Sequence, residues 1–402
     1  MNHRCRRASL SLAALFTGAS ALAAPPAWNE SEAPSLRNHV QLTFDEQFIR
    51  AGEAYFSPDA NWIVFQAVPV PPEGEPIDAH YSMYVAKLQR DDAGRVTGAH
   101  EPIRVSPAGS ANTCGWFHPS EPWRLIFGST ITDIRDESRS GYQRGQSRYQ
   151  WQFPSEMDVC VRTVVEIFND MHEHGAKVPD WPLAIDDSAR APVPLFKRPG
   201  YDAECAYSPN GRFIVYTAVN EENGDADIHI LDTTTGKSRP IIVAPGYDGG
   251  PFFSPDGRRL CYRSDRAGND LLQIYVADLR FDESGVPVGV EKEIRCTDNE
   301  HVNWAPFWHP SGDFLLYTTS EVGHHNYEIF ALEAPSRGAD VAPGDLRAHR
   351  ITHAAGFDGM PAFSNDGSLL MWTSQRGGGP DGSGSSQVWI AEVVNASPLP
   401  AE

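Results

Sequence analysis

Signatures of the common catalytic domains are absent from this sequence. It contains no G-x-S-x-G nucleophile elbow, no Walker phosphate-binding loop, no G-x-G-x-x-G dinucleotide fingerprint and no H-E-x-x-H zinc motif. Nothing in the sequence therefore supports an α/β-hydrolase, a P-loop nucleotidase, a Rossmann dehydrogenase or a zincin protease. Evidence for function has to come from other features of the chain.

Cysteine is scarce, with six residues in 402. Cys5 lies in the leader described below. The remaining five are an odd number, with no C-x-x-C pair and no Cys/His cluster at zinc spacing. This pattern predicts neither a disulfide framework nor a structural zinc site. If one disulfide forms, Cys114 with Cys160 is the pair to test first, because both lie in the same repeat.

Basic residues are outnumbered by acidic ones. There are 33 Lys and Arg against 53 Asp and Glu, which gives a formal net charge of −20. A charge of this sign repels nucleic acid and anionic membrane surfaces. It is compatible with a cation or a basic protein surface as partner, although solubility alone is a sufficient reason for it. We expect no nucleic-acid partner.

Long hydrophobic runs are absent beyond the first residues, so we expect no membrane insertion. The 1–23 segment begins with three arginines, continues with an apolar run over 8–19 and ends in the small residues Ala-Leu-Ala at 21–23. This is the order of a cleaved signal peptide. The sequence therefore predicts an exported protein, periplasmic or secreted, with a short polar lead-in over 24–38.

The sequence does contain a repeat. Its clearest copy, over 246–279, has three short strands separated by the turn Ser-Pro-Asp-Gly at 254–257 and by the polar loop SDRAGND. Pro255 fixes φ at this turn, and Gly257 supplies a positive φ. The first two strands and the turn recur along the chain. The six copies begin at Glu53, Gly115, Glu204, Pro251, Pro306 and Pro361.

A third strand follows the turn in all six copies, and a fourth, outer strand follows it in the first five. The sixth copy has none after it, but HVQLT at 39–43 has the same pattern ahead of the first copy. An N-terminal strand that completes the last blade closes a propeller and removes its open edges. The sequence therefore predicts an all-β fold over 39–395, a six-bladed β-propeller of four-stranded antiparallel blades closed in this way. A tail at 396–402 follows, and we expect a monomer.

One loop position is nearly constant among the copies. Six residues before the Ser, His or Asn of the turn, five copies have Asn or Asp, and only Ala51 breaks the series. In a propeller these loops surround the mouth of the central channel. Such a ring can bind a cation, a peptide terminus or a sugar, or its side chains can cap turns through backbone N–H groups. Its members are Asn112, Asp202, Asp248, Asn303 and Asp358.

Blade 2 contains a second candidate site. An insertion between its second and third strands interleaves arginines with aromatic residues, and Tyr142, Arg144 and Arg148 are its candidate ligand-binding residues. Arginine forks suit an acidic or sugar-like ligand, or a carboxylate on a protein partner. The alternative is a structural loop that folds over the blade and pairs with neighbouring acids.

The histidines define no metal site by themselves. His118 and His309 replace the turn serine in their copies, so we interpret them as turn caps. Others lie in loops that can share one face, where several histidines can hold a transition metal. These are His301, His324, His325 and His353. We expect no obligatory cofactor, with Ca²⁺ or a transition metal as the alternatives.

The repeats FSPDANWIVF, YSPNGRFIVY and FFSPDGRRLCYRSDRAGNDLLQIYVADL resemble the WD40-like PD40 repeats of the TolB family. The passage SDRAGND…QIYVADL is the most specific match, and the resemblance covers roughly 39–394, most strongly in blades 3 to 6. It implies a six-bladed, non-enzymatic, protein-binding propeller in the periplasm. TolB proteins also have an α/β domain ahead of the propeller. Here only 24–38 stands in that place, so roles of that domain are not implied.

Three functions follow from these features. We expect a module that binds a protein or peptide on one propeller face, and the resemblance implies a link to Tol-type envelope or biopolymer transport systems. The same repeats occur in oligogalacturonate lyases with a His-rich metal site, so a metal-dependent lyase acting on acidic oligosaccharides is the alternative. A purely structural envelope protein is the third.

Overall fold

The six predicted blades are present. The computed structural model describes residues 28–133, 141–144, 149–152, 154–164, 192–378, 383–395 and 399. The inner strand of each blade contacts the inner strands of its two neighbours, so the six blades close into a ring. The chain is therefore an all-β propeller, as the sequence predicts. In the part of the chain described, no helix has the length and apolar character needed to cross a membrane.

The first half of the chain forms the N-terminal segment and blades 1 to 3. Helix α1 (Trp28–Glu32) and strand β1 (Leu36–Gln41) come first. Blade 1 contains β2 (Phe48–Phe56), β3 (Trp62–Pro69), β4 (Ser82–Arg90), β5 (Val96–Ala99) and β6 (Ile103–Arg104). Blade 2 contains β7 (Ser110–Phe117), β8 (Arg124–Asp133), the inserted hairpin β9 (Gly141–Arg144) and β10 (Tyr149–Gln152), then β11 (Asp158–Thr163) and β12 (Val193–Pro194). Blade 3 contains β13 (Asp202–Tyr207), β14 (Phe213–Val219), β15 (Ala226–Asp232) and β16 (Lys237–Ile242). The outer position of blade 1 is shared, because both β5 and β6 pair with β4.

The second half forms blades 4 to 6. Blade 4 contains β17 (Asp248–Phe253), β18 (Arg259–Ser264), β19 (Gln273–Phe281) and β20 (Pro287–Arg295). Blade 5 contains β21 (Asn303–Trp308), β22 (Phe314–Thr319), β23 (Glu328–Glu333) and β24 (Ala348–Arg350). Blade 6 contains β25 (Asp358–Phe363), β26 (Leu369–Ser374) and β27 (Gln387–Val393). Strand β1 supplies its fourth strand by pairing antiparallel with β27, which confirms the predicted closure.

A buried ion cluster attaches α1 to blade 6. The Glu32 carboxylate is fully buried and accepts hydrogen bonds from Arg376 Nη1 at 2.9 Å and from the backbone N–H of His353 at 2.7 Å. It also lies 2.8 Å from His39 Nε2, and Arg376 Nη2 donates to Asp358 at 2.9 Å. Burial alone raises the pKa of Glu32, but the bonds from His39 and Arg376 outweigh it and hold that pKa below its usual value. Side chains ahead of β1 therefore contribute to the closure of the ring.

The core lies between adjacent blades. The second strand of a blade is covered by strands on both sides and by neighbouring blades on both faces, so sequences such as WIVFQAV in β3 and FLLYTT in β22 are almost wholly buried. One apolar cluster joins Ile63 and Phe65 of blade 1 to Met371 and Ile390 of blade 6. Burying each such side chain contributes about 1.5–3 kcal/mol. These clusters hold the blades together in pairs around the ring.

The turns between first and second strands share one hydrogen-bond pattern. Ser254 Oγ donates to Asp256 Oδ1 at 2.5 Å and accepts the N–H of Arg259 at 2.9 Å. Where the serine is replaced, Nδ1 of His118 and of His309 accepts backbone N–H groups of its own turn. The interpretation of these two histidines as turn caps therefore agrees with their geometry.

Candidate functional site

Every inner strand has a β-bulge at the same place. Its pairing with the second strand shifts register there in all six blades. The bulged residue has a left-handed φ of 48–60°, which costs a non-glycine residue about 1–2 kcal/mol. Strain of this kind is retained where a surrounding structure requires it, often at functional sites. We call these residues the bulge ring: Glu53, Cys114, Glu204, Gly250, Ala305 and Met360.

An aromatic plug fills the channel next to the bulge ring. Two residues after each bulge the side chain is aromatic in four blades, and the four ring centroids lie 4.9–6.2 Å from one another. Rings from four different blades at these distances pack across the axis. The plug consists of Tyr55, Trp116, Phe252 and Phe307. The bulge ring therefore lines the channel on one side of the plug, and we call that part of the channel the chamber.

We call the two ends of the propeller the mouth face and the turn face. The mouth face carries the loops that enter each inner strand and the loops between second and third strands. The turn face carries the turns between first and second strands. A concavity of ≈ 300 Å³ opens on the turn face. It is bordered by the plug and by turn prolines such as Pro58 and Pro255.

A network of buried polar groups links blades 3 and 4 at the bulge ring. The Glu204 carboxylate accepts hydrogen bonds from Arg263 Nη2 at 3.0 Å, from the Tyr247 hydroxyl at 2.7–2.8 Å and from Thr217 Oγ1 at 2.8 Å. It also accepts the backbone N–H of Gly250 at 2.7 Å. Each of these donors stabilises the ionised carboxylate, so Glu204 is a satisfied, charge-balanced group.

Glu53 of blade 1 has a different environment. Its carboxylate accepts a hydrogen bond from the Cys114 thiol at 2.8 Å and a long one from Thr113 Oγ1 at 3.4 Å. Burial raises the pKa of Glu53, against the smaller effects of Cys114 and Arg263. Burial, followed by the Glu53 charge, raises the pKa of Cys114 well above its usual value. Cys114 is therefore a protonated donor at neutral pH.

An aromatic groove opens on the mouth face beside this chamber. The rings of Trp304, Tyr327 and Phe357 lie 5.9–6.5 Å apart, and each is partly exposed. They border a concavity of ≈ 410 Å³ together with the exposed His324 and His325. The indole Nε1 of Trp304 is buried without a hydrogen-bond partner among the described residues. Sequence analysis missed this groove, although Trp304 directly precedes the bulge position of blade 5.

The predicted Asx ring lies inside the blades. All five side chains are at equivalent places beside the bulges, but their exposed fractions are only 0–3%. The three aspartates pair with arginines: Asp202 with Arg198 at 3.0 Å, Asp248 with Arg266 at 2.7 Å and Asp358 with Arg376 at 2.9 Å.

The two amides of the Asx ring donate to backbone carbonyls and to side-chain oxygens of the propeller. Asn112 Nδ2 donates to the carbonyls of Tyr81 and Ser110 at 3.0 Å, and Asn303 Nδ2 donates to that of His301 at 3.2 Å. Burial raises the pKa of Asp202 to about 8, although Arg198 opposes this. These contacts are with groups of the propeller itself, and a role of the Asx ring in binding a partner stays a prediction.

The arginine-rich insertion of blade 2 is described only in part. Tyr142 and Arg144 lie on β9, which pairs with β10 in a two-stranded sheet, so part of the expected loop is a hairpin. Arg148 lies outside the described residues. The ligand-binding role of this insertion stays a prediction.

Within the described ranges, the side chains form neither a cluster of metal ligands nor a disulfide bond. No three His, Cys, Asp or Glu side chains within them come together as metal ligands. The five cysteines from Cys114 to Cys296 are free thiols, so the pair Cys114–Cys160 is not formed. The reason is geometric, because Cys114 is on the channel and Cys160 is buried in β11.

Part of the chain matches a known family of repeats. Residues 184–336 match the family model described as PD40, TolB beta propeller domain. No curated protein matches the chain in sequence. Similar solved structures include one provisionally assigned to TolB from Agrobacterium tumefaciens, with 15% identity, TM-score 0.48 and coverage of 86% of this chain and 91% of that one.

Two further structures are similar in the same sense. TolB from Acinetobacter baumannii has 14% identity and TM-score 0.47, with coverage of 88% of this chain and 65% of that one. An oligogalacturonate lyase from Vibrio parahaemolyticus has 10% identity and TM-score 0.43, with coverage of 89% and 91%. The chain is therefore a six-bladed β-propeller whose residues 184–336 match the PD40 repeats of TolB propellers.

Proposed function

We propose that this chain is a non-catalytic propeller that binds a protein or peptide through its mouth face. The observation that carries this proposal is the groove of ≈ 410 Å³ bordered by Trp304, Tyr327 and Phe357. Single exposed apolar residues are ordinary on any protein surface. Three partly exposed rings around one concavity are instead the kind of pocket that anchors a side chain of a partner.

The cellular setting is part of the same proposal. The leader at 1–23 and the TolB resemblance support export to the periplasm or beyond, and a link to envelope or biopolymer transport. The leader lies outside the described residues, and its cleavage is measured by N-terminal sequencing of the protein recovered from the periplasm. We expect the mature chain to begin near Ala24.

Selection from a random peptide display library tests the binding proposal. We expect wild-type protein to enrich peptides that share an aromatic or aliphatic anchor, and Trp304→Ala to weaken binding of those peptides at least about tenfold, the effect of losing a central aromatic anchor. Trp123→Ala is the matched control, because Trp123 is 38% exposed in the turn ahead of β8 on the opposite face. Equal loss of binding in both variants, or in neither, would contradict the proposal.

The alternative function requires a transition-metal centre. A lyase acting on acidic oligosaccharides predicts one stoichiometric metal per chain and cleavage of uronate oligomers. The described part of the chain brings no three metal-ligand side chains together, and no observation made on it favours the lyase. Elemental analysis of the purified mature protein, followed by a uronate cleavage assay, decides between the two functions.

A further inference from the structure

The bulge ring has two chemically different halves. Blades 1 to 3 contribute Glu53, Cys114 and Glu204, whereas blades 4 to 6 contribute a glycine, an alanine and a methionine. The polar half faces the apolar half across the same channel, with the aromatic plug beneath both. A ligand that enters from the mouth face therefore meets hydrogen-bonding groups on one side and the apolar side chains of Ala305 and Met360 on the other.

The two glutamates of the ring differ in charge balance. Glu204 is paired with Arg263, which is itself buried. The Arg263 guanidinium fills the space over Gly250, where even a Cβ atom would collide with it. Glu53 has no Lys, Arg or His within ion-pair distance among the described residues, and its hydrogen-bond donors are a thiol and a hydroxyl. A carboxylate in this position lacks the counter-ion that its neighbour has.

Glu53 is also less buried than Glu204. Glu53, Thr113 and Cys114 are each partly exposed, whereas Glu204 and Arg263 are buried. A cationic ligand at Glu53 would form a charge-assisted hydrogen bond, which is roughly twice as strong as a neutral one. Burial is the main cause of the raised pKa of Glu53, and the Arg263 charge lowers that pKa without cancelling the rise.

We propose that the chamber above the aromatic plug binds a primary ammonium group, with Glu53 as its counter-ion and the apolar half of the bulge ring as the seat for the adjoining carbon chain. This inference rests on the proposed function, because it gives the chemistry of the partner group that enters the channel. A compact ammonium needs one carboxylate and a few neutral acceptors.

The ammonium has two sources in peptides, the amino terminus and the lysine side chain. The groove lies next to the chamber, because Trp304 precedes the bulge residue Ala305 and its ring lies 5.9 Å from the Arg263 guanidinium. A peptide can therefore place its ammonium at Glu53 and an apolar residue in the groove. Both sources fit this description, and the experiment below distinguishes them.

Cys114 provides a built-in reporter for this test. Of the five described cysteines it alone is partly exposed, and its sulfur is in contact with Glu53. We would measure by mass spectrometry the rate at which methylmercury chloride, which binds a protonated thiol, labels the folded mature protein, and assign the labelled thiol with Cys114→Ser. Three probes are compared: leucyl-glycyl-glycinamide, its N-acetylated form, and Nα-acetyl-lysinamide.

We expect the probes with a free ammonium to slow labelling of Cys114 and the acetylated tripeptide to leave it unchanged. Protection by leucyl-glycyl-glycinamide assigns the amino terminus, and protection by Nα-acetyl-lysinamide assigns the lysine side chain. Glu53→Gln should weaken protection about tenfold or more, as expected for loss of a charge-assisted bond. Glu221→Gln, which removes a charge from an exposed loop of the same face, should leave protection unchanged.

Two results would overturn the inference. One is equal protection by the acetylated tripeptide, a comparison that uses only wild-type protein and so does not depend on the folding of a variant. The other is no protection by either amine at concentrations up to about 10 mM, where even weak specific binding is detected. Peptide binding that needs Trp304 but not Glu53 would leave the proposed function standing while removing this inference.

Discussion

Individual buried charged side chains contribute to the stability of this protein. Arg376 is fully buried, and its guanidinium pairs with the carboxylates of both Glu32 and Asp358. The indole ring of Trp28 covers the guanidinium at 4.4 Å. Removing such a cation leaves two buried carboxylates without compensation, which is far more costly than loss of a surface ion pair.

Arg376→Met should therefore lower the free energy of unfolding by about 3–5 kcal/mol at neutral pH. The loss should shrink as the pH falls, because protonation of Glu32 and Asp358 removes the uncompensated charges. Urea unfolding followed by circular dichroism measures both effects. Arg295→Met is the control, because Arg295 forms a partly exposed pair with Asp298 and should cost about 0–1 kcal/mol. Similar losses in the two variants would show that the buried cluster is not stabilising.

The pKa of Glu328 determines the sign of its contribution to the pH dependence of folding stability. It is fully buried, and burial, followed by the charge of Asp358, raises its pKa from 4.5 to about 8 even though Arg350 lies 2.6 Å away. A group whose folded pKa is raised contributes stability that is complete below the unfolded pKa and is lost as the pH rises through the folded one. The folded protein therefore loses this stability as the pH rises from about 4.5 to about 8.

We expect Glu328→Gln to gain stability relative to wild type as the pH rises from about 5 to about 9, by at most about 1.4 kcal/mol per unit of pKa shift. Unfolding free energies measured by urea titration at several pH values check this. Glu333→Gln on the same strand is the control, because hydrogen bonding to Arg347 holds the pKa of Glu333 below its usual value. A difference between Glu328→Gln and wild type that does not change with pH would contradict the assignment.

For individual residues, the sequence predicted which positions in the repeats are equivalent but not which side chains contact one another. Alignment of the copies found Asp248 and Asp358 as equivalent residues. It did not find that each pairs with an arginine two residues after the second strand, Arg266 and Arg376. Burial of the pair depends on how the loops of neighbouring blades pack, and that contact is not local in the chain.

Among the secondary-structure elements, the bulged inner strand defines the candidate site. The bulge turns one residue of each blade into the channel and, in four blades, places the next inward residue in the aromatic plug. Blade 4 has glycine at the bulge, and the Arg263 guanidinium lies over it. Glycine at this position is required both for its φ and for the space that Arg263 occupies.

Gly250→Ala should therefore destabilise the protein by more than backbone strain alone. Gly268→Ala is a matched control, because Gly268 has a similar φ of 71° but open space around its missing side chain. We expect about 1–2 kcal/mol for the control and at least about 2 kcal/mol more for Gly250→Ala, since displacing Arg263 leaves Glu204 unpaired. Denaturant midpoints measure the difference, and equal losses would mean that Arg263 relocates without cost.

The strands were predictable from sequence and the bulges were not. Apolar strands separated by Ser-Pro-Asp-Gly turns repeat visibly along the chain. A bulge adds one residue to the alternation, and five of the six bulged positions hold Glu, Cys, Ala or Met, which do not signal a left-handed φ. The sequence pattern therefore did not predict that residues such as Glu53 and Cys114 face the channel.

At the scale of the whole molecule, closure of the ring was predictable because the missing outer strand of the last copy had a counterpart before the first. The buried attachment of α1 through Glu32 was not, since a single glutamate in a polar segment has no pattern. The groove of Trp304, Tyr327 and Phe357 was missed for a related reason. Its rings come from two different blades and meet only when the propeller is complete.

The central claim is that a partner binds on the mouth face. Hydrogen–deuterium exchange of the mature protein, with and without a peptide enriched in the display selection, tests it most directly. We predict slower exchange in the loop over 320–327 and in the segment over 352–357, which border the groove. Protection confined to the turn face, for example over 57–61 and 254–258, would contradict the claim.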